Sequence, residues 1–424
     1  MSRAHDLQHS RAQPLRVALL GCGTVGRELA RRLLAGALDG GRSSPRVELV
    51  RVLVRRAELD RGLPPGLLTD RLDDVLDAEP DAVVEVMGGI EAPLDAGREV
   101  LSRGVPFVTA NKSLLAHHGE ELRSLAQARG APLAFEAAVG ASLPVVAVLR
   151  ALRADRLLGF RGVLNGTCNF VLDRLSRAST GPGGARLTLD DAVREAQALG
   201  LAEPDPSADL SGRDAAEKLC VIAQELGWVD VRSSDVRTRG IERLTADDCA
   251  AERREGRAIR LIASIEFEGE RPMFAVEPVA LDARDPLAQL PGEENGVVLN
   301  CEMAGRVFLR GRGAGPGPTA SALLGDLASA LGLPRAPSPR LSGRPAPARE
   351  PRSTRHSVRL ARPGVTPDDV FAALAAAGVG AERIELARDG VRVTTGPATR
   401  AAAGRLAADL DDDRTLVVPI LASG

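Results

Sequence analysis

Asp214 and Lys218 stand four residues apart, so a helix through them sets a carboxylate and an ammonium on one face. The lysine is scarce: of 55 lysines and arginines only Lys112 and Lys218 are lysine. Arginine keeps its charge, whereas a partly buried lysine can give up a proton. A lysine that survives such a bias is a candidate for proton transfer. The run Gly200–Lys218, GLAEPDPSADLSGRDAAEK, adds Glu203 and Asp209. Pro204 and Pro206 make its first half an extended loop. One reading is structural, with Ser211 and Asp214 as a capping box and Asp214–Lys218 as a helix pair worth roughly 0.2–0.5 kcal/mol. The other is chemical. Three carboxylates converging on a rare lysine suit a substrate with an ammonium and an alcohol: carboxylates hold the ammonium, and the lysine exchanges the alcohol proton as hydride moves. The scarcity and the proline-fixed loop favour the chemical reading.

Hydride needs a cofactor, and Gly21-Cys22-Gly23-Thr24-Val25-Gly26 supplies the pattern for one. It lies between an apolar strand, Leu15–Leu20, and a helical pattern, RELARRLLAGAL. Gly21 permits a tight turn, Gly23 a close approach to pyrophosphate, and Gly26 close helix–strand packing; the helix N-terminus faces the phosphates. NAD-binding chains usually end the second strand with an acid for the ribose hydroxyls. Here it ends Leu53-Val54-Arg55-Arg56, with no acid before Glu58. This points to NADP(H), with Arg55 on the 2′-phosphate and NAD(H) still possible.

These residues need elements to hold them. Strands at Leu15–Leu20, Val47–Val54, Asp81–Met87, Pro106–Thr109 and Pro132–Glu136 alternate with helices, which predicts a doubly wound parallel sheet of Rossmann type over 14–140. Residues 141–315 read as a mixed α+β domain with helices at Pro144–Leu152, Phe170–Ser176, Leu189–Leu199 and Asp214–Leu226. STGPGG at 179–184 reads as a flexible loop, and Thr319–Leu331 as another helix. Residues 333–355, rich in Pro, Arg and Ser, read as a linker. A βαββαβ order over 356–424 makes a small third domain. Residues 1–13 read as a disordered leader.

Composition excludes several classes. The net charge of −2 offers no basic surface for nucleic acid, and 2% aromatics with no tyrosine offers no base-stacking platform. No tyrosine also means no tyrosine-dependent short-chain mechanism. No apolar run reaches the ~18 residues of a membrane span. Cys22, Cys168, Cys220, Cys249 and Cys301 are scattered without a CxxC pair, which fits a reducing cytoplasm and no structural zinc.

GCGTVG, Glu85-Val-Met-Gly-Gly-Ile90, Thr109-Ala-Asn-Lys112, Phe135-Glu-Ala-Ala-Val-Gly-Ala-Ser-Leu-Pro144, Leu164-Asn-Gly-Thr-Cys-Asn-Phe170, the segment ending at Lys218, and Gly313-Ala-Gly315…Pro318-Thr-Ala resemble homoserine dehydrogenases, in that family's order and over roughly 14–335. The resemblance implies reversible reduction of aspartate 4-semialdehyde to homoserine, on the route to threonine and methionine. It implies Lys218 as proton donor and acceptor, Asp214 as its partner, Glu203 on the substrate amino group with Asp209 nearby, and Lys112 beside nicotinamide and substrate. Gly200 and Gly315 match backbone contacts to cofactor or substrate. A sodium ion is implied at Glu136, Val139, Ala141 and Leu143, as is a homodimer or tetramer through the substrate domain. A helix near 316–332 should complete the nucleotide domain. The last 70 residues resemble an ACT regulatory domain through Arg362-Pro-Gly-Val365, while the segment in which that family is rich in signalling His and Thr reads Asp389-Gly-Val-Arg-Val-Thr-Thr-Gly396, so effector binding and a purely structural role both stay open.

Two rivals remain at this level. Cys168 could serve as the covalent nucleophile of an aldehyde dehydrogenase, although none of the five histidines falls in the second domain. A non-catalytic dinucleotide sensor is the other, against which stands the intact Glu203, Asp214 and Lys218 set.

Overall fold

The computed structural model describes residues 13–39, 45–178, 187–333, 355–360, 366–387, 390–398, 402, 405 and 416–420. The expected leader, the 179–184 loop, Arg362–Val365 and nearly all of the linker and of a helix over 399–410 lie outside them. The chain divides into two units, 1–336 and 337–424.

Six parallel strands open the first unit: β1 (Leu15–Leu20), β2 (Val47–Leu53), β3 (Leu68–Thr69), β4 (Ala82–Glu85), β5 (Phe107–Thr109) and β6 (Leu133–Ala134). Their order, β3-β2-β1-β4-β5-β6, is the doubly wound one. Both faces are covered, so β4 is buried at every residue and reads as an unbroken apolar run with Glu85 at its end. Val17, Leu19 and Val84 face α1 (Thr24–Leu34); Ala18, Leu20 and Val83 face α2 (Leu72–Asp77), α3 (Glu91–Ser102) and α4 (Lys112–Arg129). Neither β3 nor α2 was anticipated. A two-residue strand shows no periodicity, and α2 spans less than two turns.

The chain continues through α5 (Glu136–Val139), α6 (Val145–Ala151), β7 (Leu157–Val163), α7 (Gly166–Ala178), α8 (Leu189–Ala198), α9 (Ser207–Leu210), α10 (Arg213–Glu225), β8 (Arg237–Thr238), α11 (Ala246–Arg254), β9 (Arg257–Glu268), β10 (Arg271–Asp282), β11 (Glu294–Cys301) and β12 (Gly305–Arg312). These strands form a second, mostly antiparallel sheet, β12-β11-β7-β9-β10-β8, in which only β8 runs parallel to its neighbour. Leu172 and Leu175 of α7 and Leu219 and Ile222 of α10 fill the core against Phe160, Ala263 and Leu299. α11 was also missed, although Thr245 and Asp248 write its capping box in the sequence. α7 begins at Gly166, four residues before its expected start, so Asn165 sits at its mouth. α12 (Pro316–Ala330) returns to the first sheet and packs Ala320, Leu323 and Leu327 beside α1.

In the second unit, β13 (Arg355–Leu360), α13 (Pro367–Ala377), β14 (Ala381–Ala387), β15 (Gly390–Thr395) and β16 (Leu416–Ile420) give an antiparallel sheet ordered β14-β15-β13-β16. Val370 and Leu374 bury against Val358, Val391 and Val393. Among the described residues no helix is long and apolar enough to cross a membrane.

Candidate active site

The glycine-rich turn closes between β1 and α1. Gly21 has φ +101°, and its N–H donates to the Leu53 carbonyl at 2.9 Å, which ties the turn to the end of β2. A Cβ there would stand 2.7 Å from the Val86 carbonyl oxygen, and one at Gly26 would overlap the Gly21 carbonyl. Packing demands both glycines. It does not demand Gly23, where a Cβ would have no atom of the described residues within 4 Å. Gly23 caps α1 without a side-chain hydrogen bond, and the first turn, starting Thr24-Val25, carries no acid. Free N–H groups, a helix dipole and an uncrowded glycine suit a pyrophosphate from outside. Arg55 and Arg56, just past β2, are exposed.

The far side of the crevice is welded by side chains. Buried Glu85, at the end of β4, accepts from Thr109 Oγ1 at 2.5 Å and from Met87 N at 2.6 Å. Burial pushes its carboxyl up in spite of these bonds. Asn111 donates Nδ2 to the Gly89 carbonyl at 2.7 Å and caps α4 by accepting from Leu114 N at 3.0 Å. Its neighbour Lys112 is therefore presented at the first turn of α4, over the carboxyl ends of β4 and β5.

α10 meets α4 there. Buried Asp214 holds Lys218 Nζ at 2.9 Å through one oxygen and Lys112 Nζ at 3.1 Å through the other. Asn165 Nδ2 donates to Asp214 at 2.8 Å and to Asp209 at 2.7 Å. Lys218 Nζ also donates to the Leu164 carbonyl at 2.8 Å. An ammonium has three N–H bonds; Asp214 and Leu164 take two, and the third, with no partner among the described residues, is open to a substrate oxygen. The expected capping box is absent: Gly212, left-handed at φ +81°, caps α10, and Asp214 turns to the lysines instead of Ser211. Further along, Ser113 Oγ donates to Glu217 at 2.7 Å, and Gln224 lies at the kink of α4, taking Arg123 Nη1 at 2.9 Å and reaching the Ala116 carbonyl at 3.5 Å.

The charges respond to these neighbours. Burial opposes ionisation of Asp214, yet Lys218, Lys112 and Asn165 more than offset it and hold its carboxyl at about 2. Burial also opposes the charge on Lys112, but Asp214, Glu217 and Asp209 raise it above the ordinary lysine value, so it is a fixed cation. Burial and the adjacent Asp214 push Asp209 up, against Asn165 and the two lysines. Cys168 is buried, its Sγ 3.1 Å from the Asp209 carbonyl, and burial with the charges of Asp209 and Asp214 drives its thiol well above the usual range. A fully buried thiol with its pKa raised, bonded to a backbone carbonyl, is poorly placed to attack a substrate, which stands against the Cys168 alternative.

Other expected residues lie apart from this cluster. Glu203 is exposed, with its backbone carbonyl accepting from Gln197 Nε2 at 3.0 Å and its carboxylate not brought to either lysine. The expected convergence of three carboxylates is thus met by Asp209 and Asp214 alone. Gly200, φ +73°, ends α8, and Gly315, φ +108°, caps α12. Glu136 accepts from Val146 N and Ala147 N, both at 2.8 Å, and so caps α6. Between them Ala141 takes φ +50°, rare for a residue with a side chain. Glu136 N in turn donates to Asp326 of α12 at 2.8 Å; burial and the Glu136 charge push Asp326 up to about 7. A cavity of about 600 Å³ among Leu149, Trp228, Phe267 and Leu299 holds none of these residues. Asn165, Glu85, Thr109 and Asn111 had no sequence-derived role, because the bonds that tie them into the site, Asn165 to Asp209 and Asp214, Glu85 to Thr109 and Asn111 to Gly89, join distant parts of the chain.

A dinucleotide-binding sheet whose crevice faces a lysine–carboxylate cluster defines a nicotinamide-dependent oxidoreductase. Residues 21–136 match the family described as homoserine dehydrogenase, NAD binding domain, and residues 144–328 match homoserine dehydrogenase. The homoserine dehydrogenase of Mycobacterium leprae is 39% identical over 323 residues, 74% of this chain and 71% of that one; that of Bacillus subtilis is 33% identical over 326 residues, 75% and 73%. A homoserine dehydrogenase structure from Thiobacillus denitrificans superposes with a TM-score of 0.70 at 30% identity, over 97% of this chain and 99% of that one. A hyperthermophilic archaeal homoserine dehydrogenase in complex with NADPH gives 0.62 at 25% identity, over 77% and 100%. The chain belongs to the homoserine dehydrogenase family and has its activity, the NAD(P)-dependent interconversion of L-homoserine and L-aspartate 4-semialdehyde.

Proposed function

We propose that Lys218 exchanges the proton on the substrate oxygen while Asp214 and Lys112 hold it in place. The observation that carries this is the Lys218 ammonium itself, fixed by Asp214 at 2.9 Å and Leu164 at 2.8 Å with one N–H unspent. When bound, the nicotinamide supplies or accepts the hydride. In the reductive direction Lys218 gives a proton to the oxygen that gains negative charge; in the oxidative direction it takes that proton back. Lys112, a fixed cation, steadies the developing charge. Glu203 and Asp209 receive the substrate ammonium, and Gly200 and Gly315 offer backbone contacts to cofactor or substrate.

Gly21, Gly23, Thr24, Val25 and Gly26 bind the pyrophosphate. NADP(H) is the preferred cofactor, supported by the missing acid after β2 and by the NADPH bound in the archaeal relative. A sodium ion is held by the 136–143 segment at Glu136, Val139, Ala141 and Leu143, mostly through carbonyl oxygens that suit a hard cation, and the left-handed Ala141 marks a constrained backbone there. The enzyme works as a homodimer or tetramer through the second sheet, whose Leu158 and Phe308 are exposed. Five free cysteines suit the cytoplasm. The second unit is an ACT-like module.

The test is homoserine oxidation followed at the reduced-nicotinamide band with NADP and with NAD. Glu203→Gln should raise the homoserine KM about tenfold or more and leave the cofactor KM unchanged. An unchanged homoserine KM contradicts the ammonium role, and a better kcat/KM with NAD contradicts the cofactor preference.

A further inference from the structure

Arg61 follows β2 by eight residues, and its guanidinium returns to the glycine-rich turn. Asp60 accepts from Gly62 N at 2.8 Å, and Gly62 takes φ +68°, which folds the chain back. Arg61 Nη1 then donates to the Cys22 carbonyl at 3.2 Å. Its Nε is buried and has no acceptor among the described residues. An unpaired buried donor is costly, so such a group is retained where a partner arrives. The cation lies close enough to Cys22 that, with Arg27, it works against the burial that raises the thiol.

The place matters as much as the charge. Gly21 N is bonded to Leu53 O, so Cys22 stands beside the end of β2. In this fold the ribose hydroxyls fall at the end of the second strand, and the pyrophosphate falls further on, at the helix N-terminus. Asp60 turns one carboxylate oxygen back to Gly62 N, within its own turn. Arg55 and Arg56 are exposed, and anchoring a long side chain only when the ligand arrives costs rotamer freedom. Arg61 is already anchored.

We propose that Arg61, and not Arg55, recognises the ribose 2′-phosphate and sets the choice of NADP(H) over NAD(H). The proposal rests on the NADP(H) reading above. The test compares calorimetric binding of adenosine 2′,5′-bisphosphate and 5′-AMP, which differ only in that phosphate. Wild type should bind the bisphosphate more tightly. Arg61→Gln should lose about tenfold or more in bisphosphate affinity and keep 5′-AMP affinity within about twofold, which also reports that it is folded. Arg61→Lys should keep part of the preference, and Arg55→Gln nearly all of it. If wild type binds both ligands equally, the NADP(H) reading fails and the proposal with it. If the preference survives Arg61→Gln, or both ligands weaken together, the proposal alone is overturned.

Discussion

At the mouth of the first sheet the chemistry is carried by backbone. Gly21, Gly23 and Gly26 matter for the side chains they lack, and α1 offers its own N–H groups. Across the crevice, between α4 and α10, it is carried by side chains, and almost every contact joins distant parts of the chain: Lys112 to Asp214, Asn165 to Asp209 and Asp214, Ser113 to Glu217. A backbone site fails by steric overlap and loses the ligand that lies against it. A side-chain cluster fails by leaving a buried charge unpaired and loses the step that needs it. The two regions should therefore break in different kinetic terms.

The largest effect should come from Asp214→Asn. Two ammoniums lose their shared counter-charge, and breaking a buried pair typically costs about 3–5 kcal/mol. We expect kcat to fall by about 10²–10⁴-fold. The carboxyl's folded pKa, about 2, lies below its ordinary 3.8. Its stabilisation is thus complete above the ordinary value and is lost as pH falls through about 2. Urea unfolding should show a wild-type advantage at pH 7 that shrinks below pH ~4. An equal gap at every pH would mean that the carboxylate's charge does not matter.

Gly26→Ala should break the other region. Its Cβ would overlap the Gly21 carbonyl, so the turn must shift. Dissociation of NADPH should increase by about tenfold or more, with a smaller change in kcat at saturating cofactor. Loss in kcat alone would erase the distinction between the regions. Asn165→Ala should be milder, at about tenfold in kcat/KM. It removes a hydrogen bond that restrains Asp209, whose carboxyl should rise further and move the acid limb of the pH–rate profile upward. A profile that stays in place would make Asn165 a packing residue.

The same contrast explains what could be read from the sequence. The glycine-rich turn was legible because its three glycines fall within six residues between a strand and a helix, and the doubly wound sheet because largely apolar strands alternate with helical patterns. Asp214 and Lys218 were legible because a helix turns their spacing into contact. Lys112 stood out by scarcity, but its bond to Asp214 joins two domains and has no local signature. Asn165 was hidden twice: its helix starts earlier than apolar periodicity suggests, and its acceptors lie 44 and 49 residues away. Arg61 was hidden among many arginines, and only the turn at Gly62 sets it apart from Arg55. Glu203 shows the converse: closeness in sequence to Lys218 did not bring its carboxylate to either lysine, and its proposed role is to meet the substrate ammonium from an exposed loop.

One substitution separates charge from proton exchange. Lys218→Arg keeps a cation beside Asp214 but removes an amine that can titrate. We expect kcat for homoserine oxidation to fall by about 10²–10⁴-fold while the NADPH dissociation constant, measured by fluorescence, stays within about twofold. A variant that turns over homoserine within about threefold of wild type would contradict the assignment of proton transfer to Lys218.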